Sequence, residues 1–358
     1  MSFFSKKKKS GIGIDIGSKV IKVVELSKRK NEIILSNYGE VNLDFACSNL
    51  FRSFENKNLN PQVDNISLAI KELIKETGIH KKSVIFSLPD FSTFFSTFQM
   101  PPMTKKEIDS AVYFEARKYI PLPLDEIFLD WQSVDNKISE KEVNRILVMA
   151  ISKRIIEDYK KIAIDSGLEL IAVEPEAVSL KRAIHDGFEG ARCLVEIGFQ
   201  STNISIVDNN QMKMSFSFDI SGKDITNSIA GKLNIGYEDA EEMKRKHGLG
   251  EGGDPSLRDS ISSIISEIAR NVRNIINDFE KKENILIENI LLFGGTSLMS
   301  GILDYFDEAI NFRRENRIQI EMGKPFDKIV YPREIEENMK EINANYSIAL
   351  GEALKFFE

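Results

Sequence analysis

Cysteine and histidine are nearly missing. Two of the 358 residues are cysteine, Cys47 and Cys193, and they lie in unlike contexts, so no disulfide framework is drawn. The three histidines, His80, His185 and His247, show no metal-ligand spacing. No apolar run approaches the roughly 18 to 20 residues that a bilayer-spanning helix needs. The basic start is not followed by the apolar core of a secretory signal. An excess of positive charge is missing too. The net charge is −7 and the pI about 5.4, which argues against a general nucleic-acid surface. A cytoplasmic protein is expected. With 42% apolar residues the chain can fill two packed lobes.

One stretch organises the rest. Residues 11–26 read GIGIDIGSKVIKVVEL: strand, tight turn, strand. Asp15 ends the first strand with its carboxylate at the sheet edge. Gly17 lets the backbone come close to a ligand. The amides of Gly17, Ser18 and Lys19 can point at an anion as a backbone nest. The Ser18 hydroxyl and the Lys22 ammonium complete a cradle for the β- and γ-phosphates of a nucleotide. Asp15 would hold Mg²⁺ through its waters, a habit of that ion. A plain β-hairpin with a glycine turn reads equally well from this stretch alone.

A second copy shifts the balance. Residues 193–207, CLVEIGFQSTNISIV, again run an apolar strand into an acid, Glu196, then Ile197 and Gly198. A short turn holding Gln200, Ser201 and Thr202 leads into an alternating strand. Two such hairpins point to two similar lobes facing each other across a cleft, each gripping phosphates from its own side. A third element, NILLFGGTSLMSGIL at 289–303, is a buried strand followed by Gly294-Gly295, where backbone can approach a flat adenine or ribose. Thr296 or Ser297 is placed as the N-cap of the helix that follows. A helix after Ser221-Gly222 can add its N-terminus to phosphate binding.

The blocks IGIDIGSKVIK, LIAVEPEAVSL, LVEIGFQSTNIS and ILLFGGTSLMSG together resemble the actin-like ATPase superfamily. The resemblance implies an α/β fold of two ribonuclease H-like lobes flanking a cleft for ATP and Mg²⁺, the metal held through water by Asp15 and Glu196. It implies that Glu174 orients the attacking water, although Glu174 also reads as the neighbour of a helix opening with Pro175. It implies ribose contacts from Glu241 and Lys244, which otherwise read as an i,i+3 pair on an exposed helix.

Residues 90–166 narrow the resemblance. PPMTKKEIDSAVYFEARKYIPLPLDE at 101–126 and ISGKDIT at 220–226 are similar to the PilM family of type IV pilus assembly, relatives of FtsA that carry an insertion subdomain, 1C. The implied layout is a basic tail at 1–10, lobe 1 (1A) at 11–90 and 167–189, 1C at 91–166, lobe 2 (2A) at 190–235 and 285–330, 2B at 236–284, and a C-terminal helix returning to lobe 1 at 331–358. The implied partner is PilN, an inner-membrane protein whose short cytoplasmic N-terminus lies in a groove between 1A and 1C. Here that groove would involve strand 91–99 and the Tyr119-Ile120-Pro121 corner. Other pilus assembly components, including the assembly ATPase, and self-association stay open. A location at the inner face of the membrane follows, with Lys6 to Lys9 either a solvated tail or a weak lipid contact.

The second hairpin departs from the superfamily pattern. Glu196 stands where Asp is usual, the turn 198–201 has one glycine where many relatives have two or three, and the bulky Phe199 restricts close approach of its backbone to the γ-phosphate. Positioning supplies most of the catalysis in phosphoryl transfer, so nucleotide binding with slow hydrolysis is expected. Two other functions remain in view. One is a filament-forming protein like FtsA, whose C-terminal linker and amphipathic helix are not expected in a chain ending at Glu358. The other is a small-molecule kinase, for which no polar cluster is set aside for a second substrate.

Overall fold

The first hairpin forms as its pattern predicts. In this computed structural model, which describes residues 10–43, 52–53, 58–59, 62–135, 138–184, 187–250 and 254–358, β1 (Ser10–Ile16) pairs antiparallel with β2 (Val20–Arg29), Asp15 opposite Lys22. β3 (Glu32–Asn42) continues the meander, five residues past the strand end that the sequence suggests at 37, and its pairing with β2 shifts register at Glu25/Leu26. The polar, Asn-rich stretch 42–65 reads in the sequence as a loop with a short helix. Most of it lies outside the described residues, and a two-strand ribbon, β4 (Arg52–Ser53) with β5 (Asn58–Leu59), is what is described.

Helix α1 (Val63–Glu76) then leads to β6 (Ser83–Leu88), which runs parallel to β1. The insertion follows: β7 (Thr93–Met100), α2 (Lys105–Ala116), β8 (Ile127–Ser133) and β9 (Asn144–Ser152). Its three strands form their own antiparallel sheet, ordered β7-β9-β8. The capping box at Thr104 is present: the Glu107 N–H donates to Thr104 Oγ1 at 3.3 Å and the Thr104 N–H to Glu107 Oε2 at 2.7 Å. α2 stops at Ala116, short of the Pro121 expected to end it. α3 (Lys153–Asp165), β10 (Glu169–Pro175) and α4 (Glu176–Ala183) return to lobe 1.

Lobe 2 repeats the scheme with β11 (Ala191–Ile197), β12 (Thr202–Asp208) and β13 (Gln211–Phe218). Three helices follow, α5 (Gly222–Leu233), α6 (Tyr237–His247) and α7 (Pro255–Glu283). Then come β14 (Ile287–Phe293), α8 (Ile302–Asn311), β15 (Gln319–Met322), α9 (Met339–Asn345) and α10 (Ser347–Leu354). α7 is the stripe helix the sequence announces. Asp254 caps it by accepting from the Ser256 N–H at 2.7 Å, Pro255 opens it, and Asn284 in the left-handed region closes it. α8 starts at Ile302 after Gly301; the expected cap at Thr296 or Ser297 is instead part of a 3₁₀ turn at Gly295–Leu298.

The two sheets share one topology. Lobe 1 is ordered β10-β6-β1-β2-β3 and lobe 2 β15-β14-β11-β12-β13, each an antiparallel meander followed by parallel strands. Asp15 opposite Lys22 in one hairpin matches Glu196 opposite Asn203 in the other. In lobe 1, Ile12, Ile14 and Ile16 face a core with α1 and α3. The other face of β1 is bare, and α10 lies directly on it. A Cβ at Gly13 would stand 2.0 Å from the Ala349 carbonyl oxygen, and one at Gly351 would stand 1.9 Å from the Ser179 carbonyl oxygen. α10 therefore packs both on β1 and on α4. α4 in turn covers lobe 2, where Leu180 and Ile184 meet Leu194, Leu291 and Phe293.

The insertion also leans on lobe 2. Val134 and Leu147 share a small core with Ala177 and Met212. Lys213 Nζ donates to the Val134 carbonyl at 2.7 Å, and Arg145 pairs with Glu283 at the end of α7.

Candidate functional site

The tips of the two hairpins face one cavity of about 350 Å³. From lobe 1 it is lined by Asp15, Gly17, Ser18, Lys19 and Lys22; from lobe 2 by Glu196, Gly198, Gln200 and Ser201; from α6 by Glu241 and Lys244; and from the 3₁₀ turn by Gly295. Five sequence candidates sit outside the lining. Thr202 Oγ1 donates to the Ile220 carbonyl at 2.6 Å, and Ser297 Oγ to the Gly294 carbonyl at 2.6 Å. The Gly294 N–H donates to the Ala344 carbonyl at 3.1 Å. Gly222 joins two lining elements: its N–H donates to the Gly198 carbonyl at 2.9 Å, and its carbonyl accepts from Lys244 Nζ at 3.0 Å.

Glu174 is the fifth, and it corrects the expectation taken from the superfamily block. It is buried beside Arg182, 2.7 Å away, and also pairs with Lys355, behind the cleft. The acid that reaches the cavity is Glu176, two residues on and the first residue of α4. The strand carries Glu174 into register with Ser87, while the opening turn of α4 aims Glu176 forward. The E-P-E spelling offers both acids, and only the three-dimensional exit angle of the strand chooses between them.

Burial dominates the electrostatics. Asp15 is 5% exposed, and desolvation raises its pKa against the opposing pull of Lys22 and of Ser87, whose Oγ donates to Asp15 Oδ1 at 2.9 Å. Glu196 is pushed up to about 8, first by burial and then by Asp15. Burial raises Glu176 well above the carboxylate range, with Glu196 and Asp15 adding to it. Asp90, behind Glu176, is pushed up to about 7 by burial. Three acids so crowded round one cavity favour the arrival of positive charge. On α6 burial also works against charge, but bonds from Lys244 Nζ and Thr226 Oγ1, each 2.6 Å, hold Glu241 down at about 2.

Two further features mark a binding site. Gln200 is 9% exposed, and its Oε1 has no hydrogen-bond partner among the described residues; the same holds for Asn203 Oδ1. Lys19 of lobe 1 lies 5.0 Å from the centre of the Phe199 ring of lobe 2, so the two turns touch across the cleft. Sequence reasoning missed Glu40, Glu341, Asn345 and Ile348, which also line the cavity. They come from β3, α9 and α10, elements with no nucleotide-type spelling. Among the described residues no three His, Cys, Asp or Glu side chains are arranged to grip a metal ion directly. No helix among them is long and apolar enough to cross a membrane.

Comparison with known proteins finds matches over nearly the whole chain. A family model described as type IV pilus assembly protein PilM matches residues 13–357. The chain superposes on a PilM–PilN type IV pilus biogenesis complex with a TM-score of 0.82 at 22% identity, covering 98% of this chain and 99% of that one. It superposes on ethanolamine utilization protein EutJ of Carboxydothermus hydrogenoformans with a TM-score of 0.58 at 14% identity, over 97% and 90%. MreB5 of Spiroplasma citri bound to ADP gives 0.51 at 13%, over 98% and 97%. Cell division protein FtsA of Neisseria meningitidis is 22% identical over 268 residues, covering 64% of each chain. FtsA of Staphylococcus epidermidis is 25% identical over 261 residues, 66% of this chain and 54% of that protein. The chain thus spans between about half and two thirds of these FtsA sequences. The fold is that of the actin-like ATPases.

Proposed function

The chain belongs to the PilM family of type IV pilus assembly proteins, and we propose from that premise that it binds Mg-ATP in the cleft and recruits a PilN-like inner-membrane protein. One observation carries the nucleotide half: two hairpins of the same topology, one from each lobe, end in an acid and line one cavity. The residues suit the ligand. The orphaned Gln200 and Asn203 oxygens and the three crowded carboxylates fit a hydrated cation, and Lys19, Lys22 and the turn amides fit phosphate. Asp15 and Glu196 would hold Mg²⁺ through its waters. The amides of Gly17 to Lys19 and Phe199 to Ser201, with Ser18 and Lys22, would bind phosphates. Glu241 and Lys244 would take the ribose, and Gly295 the base. When bound, Mg²⁺ supplies charge neutralisation to the phosphates.

Glu176, rather than Glu174, is the acid set to orient a water at the γ-phosphate. The Phe199 ring and the longer Glu196 side chain leave that water poorly positioned. Turnover is therefore expected below about 1 s⁻¹, the low end for kinases; a steady-state phosphate-release assay checks it.

For the partner, the groove between lobe 1 and the insertion would take a short extended peptide from the cytoplasmic end of a PilN-like protein. That would set the protein at the inner face of the membrane. Half-exposed Tyr119 stacks on buried Phe98 with ring centres 4.9 Å apart at this edge, and Tyr113, Phe114, Leu122 and Phe128 are exposed nearby. Calorimetry with Mg-ATP tests the first half, and absence of binding overturns it. Peptide binding, with and without Mg-ATP, tests the second.

A further inference from the structure

The chain enters the insertion through Asp90. This residue lies between the end of β6 at Leu88 and the start of β7 at Thr93, in a single 3₁₀ turn. It is 2% exposed. Two separate parts of the molecule hold it, the start of α4 and β13 of lobe 2. Its Oδ1 accepts from the Ala177 N–H at the start of α4, at 3.1 Å. Its Oδ2 accepts from Ser215 Oγ on β13 of lobe 2, at 3.3 Å, and Ser215 is bonded in turn to Ser205 Oγ at 2.8 Å. Its own N–H donates to Glu176 Oε2 at 3.3 Å.

Glu176 opens onto the cavity, and that same oxygen accepts from Asn203 Nδ2 at 2.9 Å. Asn203 Nδ2 is shared with Glu196 Oε2, 3.2 Å away. A continuous set of hydrogen bonds thus runs from Glu196 in the cleft, through Asn203 and Glu176, to the backbone of the residue on which the insertion is rooted. The Asn203 amide has two N–H groups, one for each carboxylate, so losing one of these bonds leaves the side chain free to follow the other. If Glu196 turns toward the hydration shell of a bound ion, Asn203 is left to Glu176, and the pull falls on the Asp90 backbone. The Ser215 bond, meanwhile, ties Asp90 to the strand against which the insertion leans: the Met212 carbonyl and Lys213 on β13 both bond the insertion. Any rotation of lobe 2 relative to lobe 1 must stretch or relax it.

We propose that Asp90 is a positioning residue that couples nucleotide occupancy of the cleft to the seat of the insertion on lobe 2. The proposal rests on the nucleotide reading above and adds a regulated output to it. The protein carries its own reporter. Trp131, the single tryptophan, is on β8, packs on the insertion core, and precedes Gln132, which donates to the Met212 carbonyl of lobe 2 at 3.4 Å.

The test pairs calorimetry with Trp131 fluorescence on the full chain, using Mg-ATP as the probe. Wild type should bind and shift its Trp131 emission on saturation. Asp90→Ala and Ser215→Ala should still bind Mg-ATP, but with the fluorescence response cut at least about fivefold, the lower end of typical coupling. Ser215→Ala removes one hydroxyl and guards against a folding failure at Asp90. Asp90→Asn keeps an acceptor for Ala177 and a polar partner for Ser215, and should restore the response. Binding without any Trp131 change in wild type overturns the coupling, as do full responses in both alanine variants or an Asp90→Asn variant as silent as Asp90→Ala. No binding by wild type overturns the nucleotide reading and the coupling together.

Discussion

Glu174 and Glu176 are two residues apart, and their fates differ. Glu174 is a structural anchor: losing its charge leaves Arg182 buried with less compensation. Glu174→Gln should lower stability by about 3 kcal/mol, the scale for breaking a buried pair, and leave nucleotide affinity intact. Glu176→Gln should do the reverse, holding the melting temperature while changing Mg-ATP binding or turnover. Asp15→Ala should weaken Mg-ATP binding at least about tenfold, about 1.4 kcal/mol, by calorimetry. Glu196 gives a pH prediction. Its folded pKa, about 8, lies above the ordinary value of 4.5, so the folded state holds a proton that the unfolded state has released. Its stability contribution is full below pH 4.5 and is lost as pH rises toward 8. In Mg²⁺-free buffer, thermal unfolding of wild type should fall between pH 5 and 8, and Glu196→Gln should flatten that fall. At this scale the acids at 15 and 196 were legible because glycine follows each at a fixed offset. Glu176 was not, because strand alternation and helix start compete over the same three residues.

Among the elements, the least tolerant contacts are where α10 presses on its neighbours. The Ser179 carbonyl leaves no room for a methyl at Gly351, so Gly351→Ala should cost about 1–3 kcal/mol through forced backbone shifts, read by chemical denaturation. Thr104→Ala, removing the α2 capping box, should cost about 1 kcal/mol, with faster amide exchange confined to the first turn of α2. α7 is legible in the sequence, since one apolar stripe from Ile261 to Phe279 keeps helical spacing along its length. β13 alternates Met212, Met214, Phe216 and Phe218 with polar residues, yet went unassigned beside the stronger signal of the hairpin before it. α9 is seven residues long, too short to show a period, and its partners are fixed only by tertiary packing.

Across the whole molecule, the two-lobed plan was visible because the same hairpin is spelled twice. The bracing of the insertion against lobe 2 was not, since Lys213, Arg145 and Glu283 carry no local signal of their meeting. Arg145→Ala combined with Lys213→Met should raise hydrogen exchange across residues 127–152 while leaving the lobe 1 sheet protected. The same distance between sequence and contact governs how the protein comes into being. Tyr346, at the head of α10, bonds Glu40 of β3 across 306 positions, and α10 roofs the glycine face of β1. At about 5–20 residues per second of synthesis, the first three strands wait on the order of 15–60 s for their lid. During that interval the newborn chain leaves the glycine face of an open sheet without its cover, an exposed apolar surface of the kind that invites aggregation.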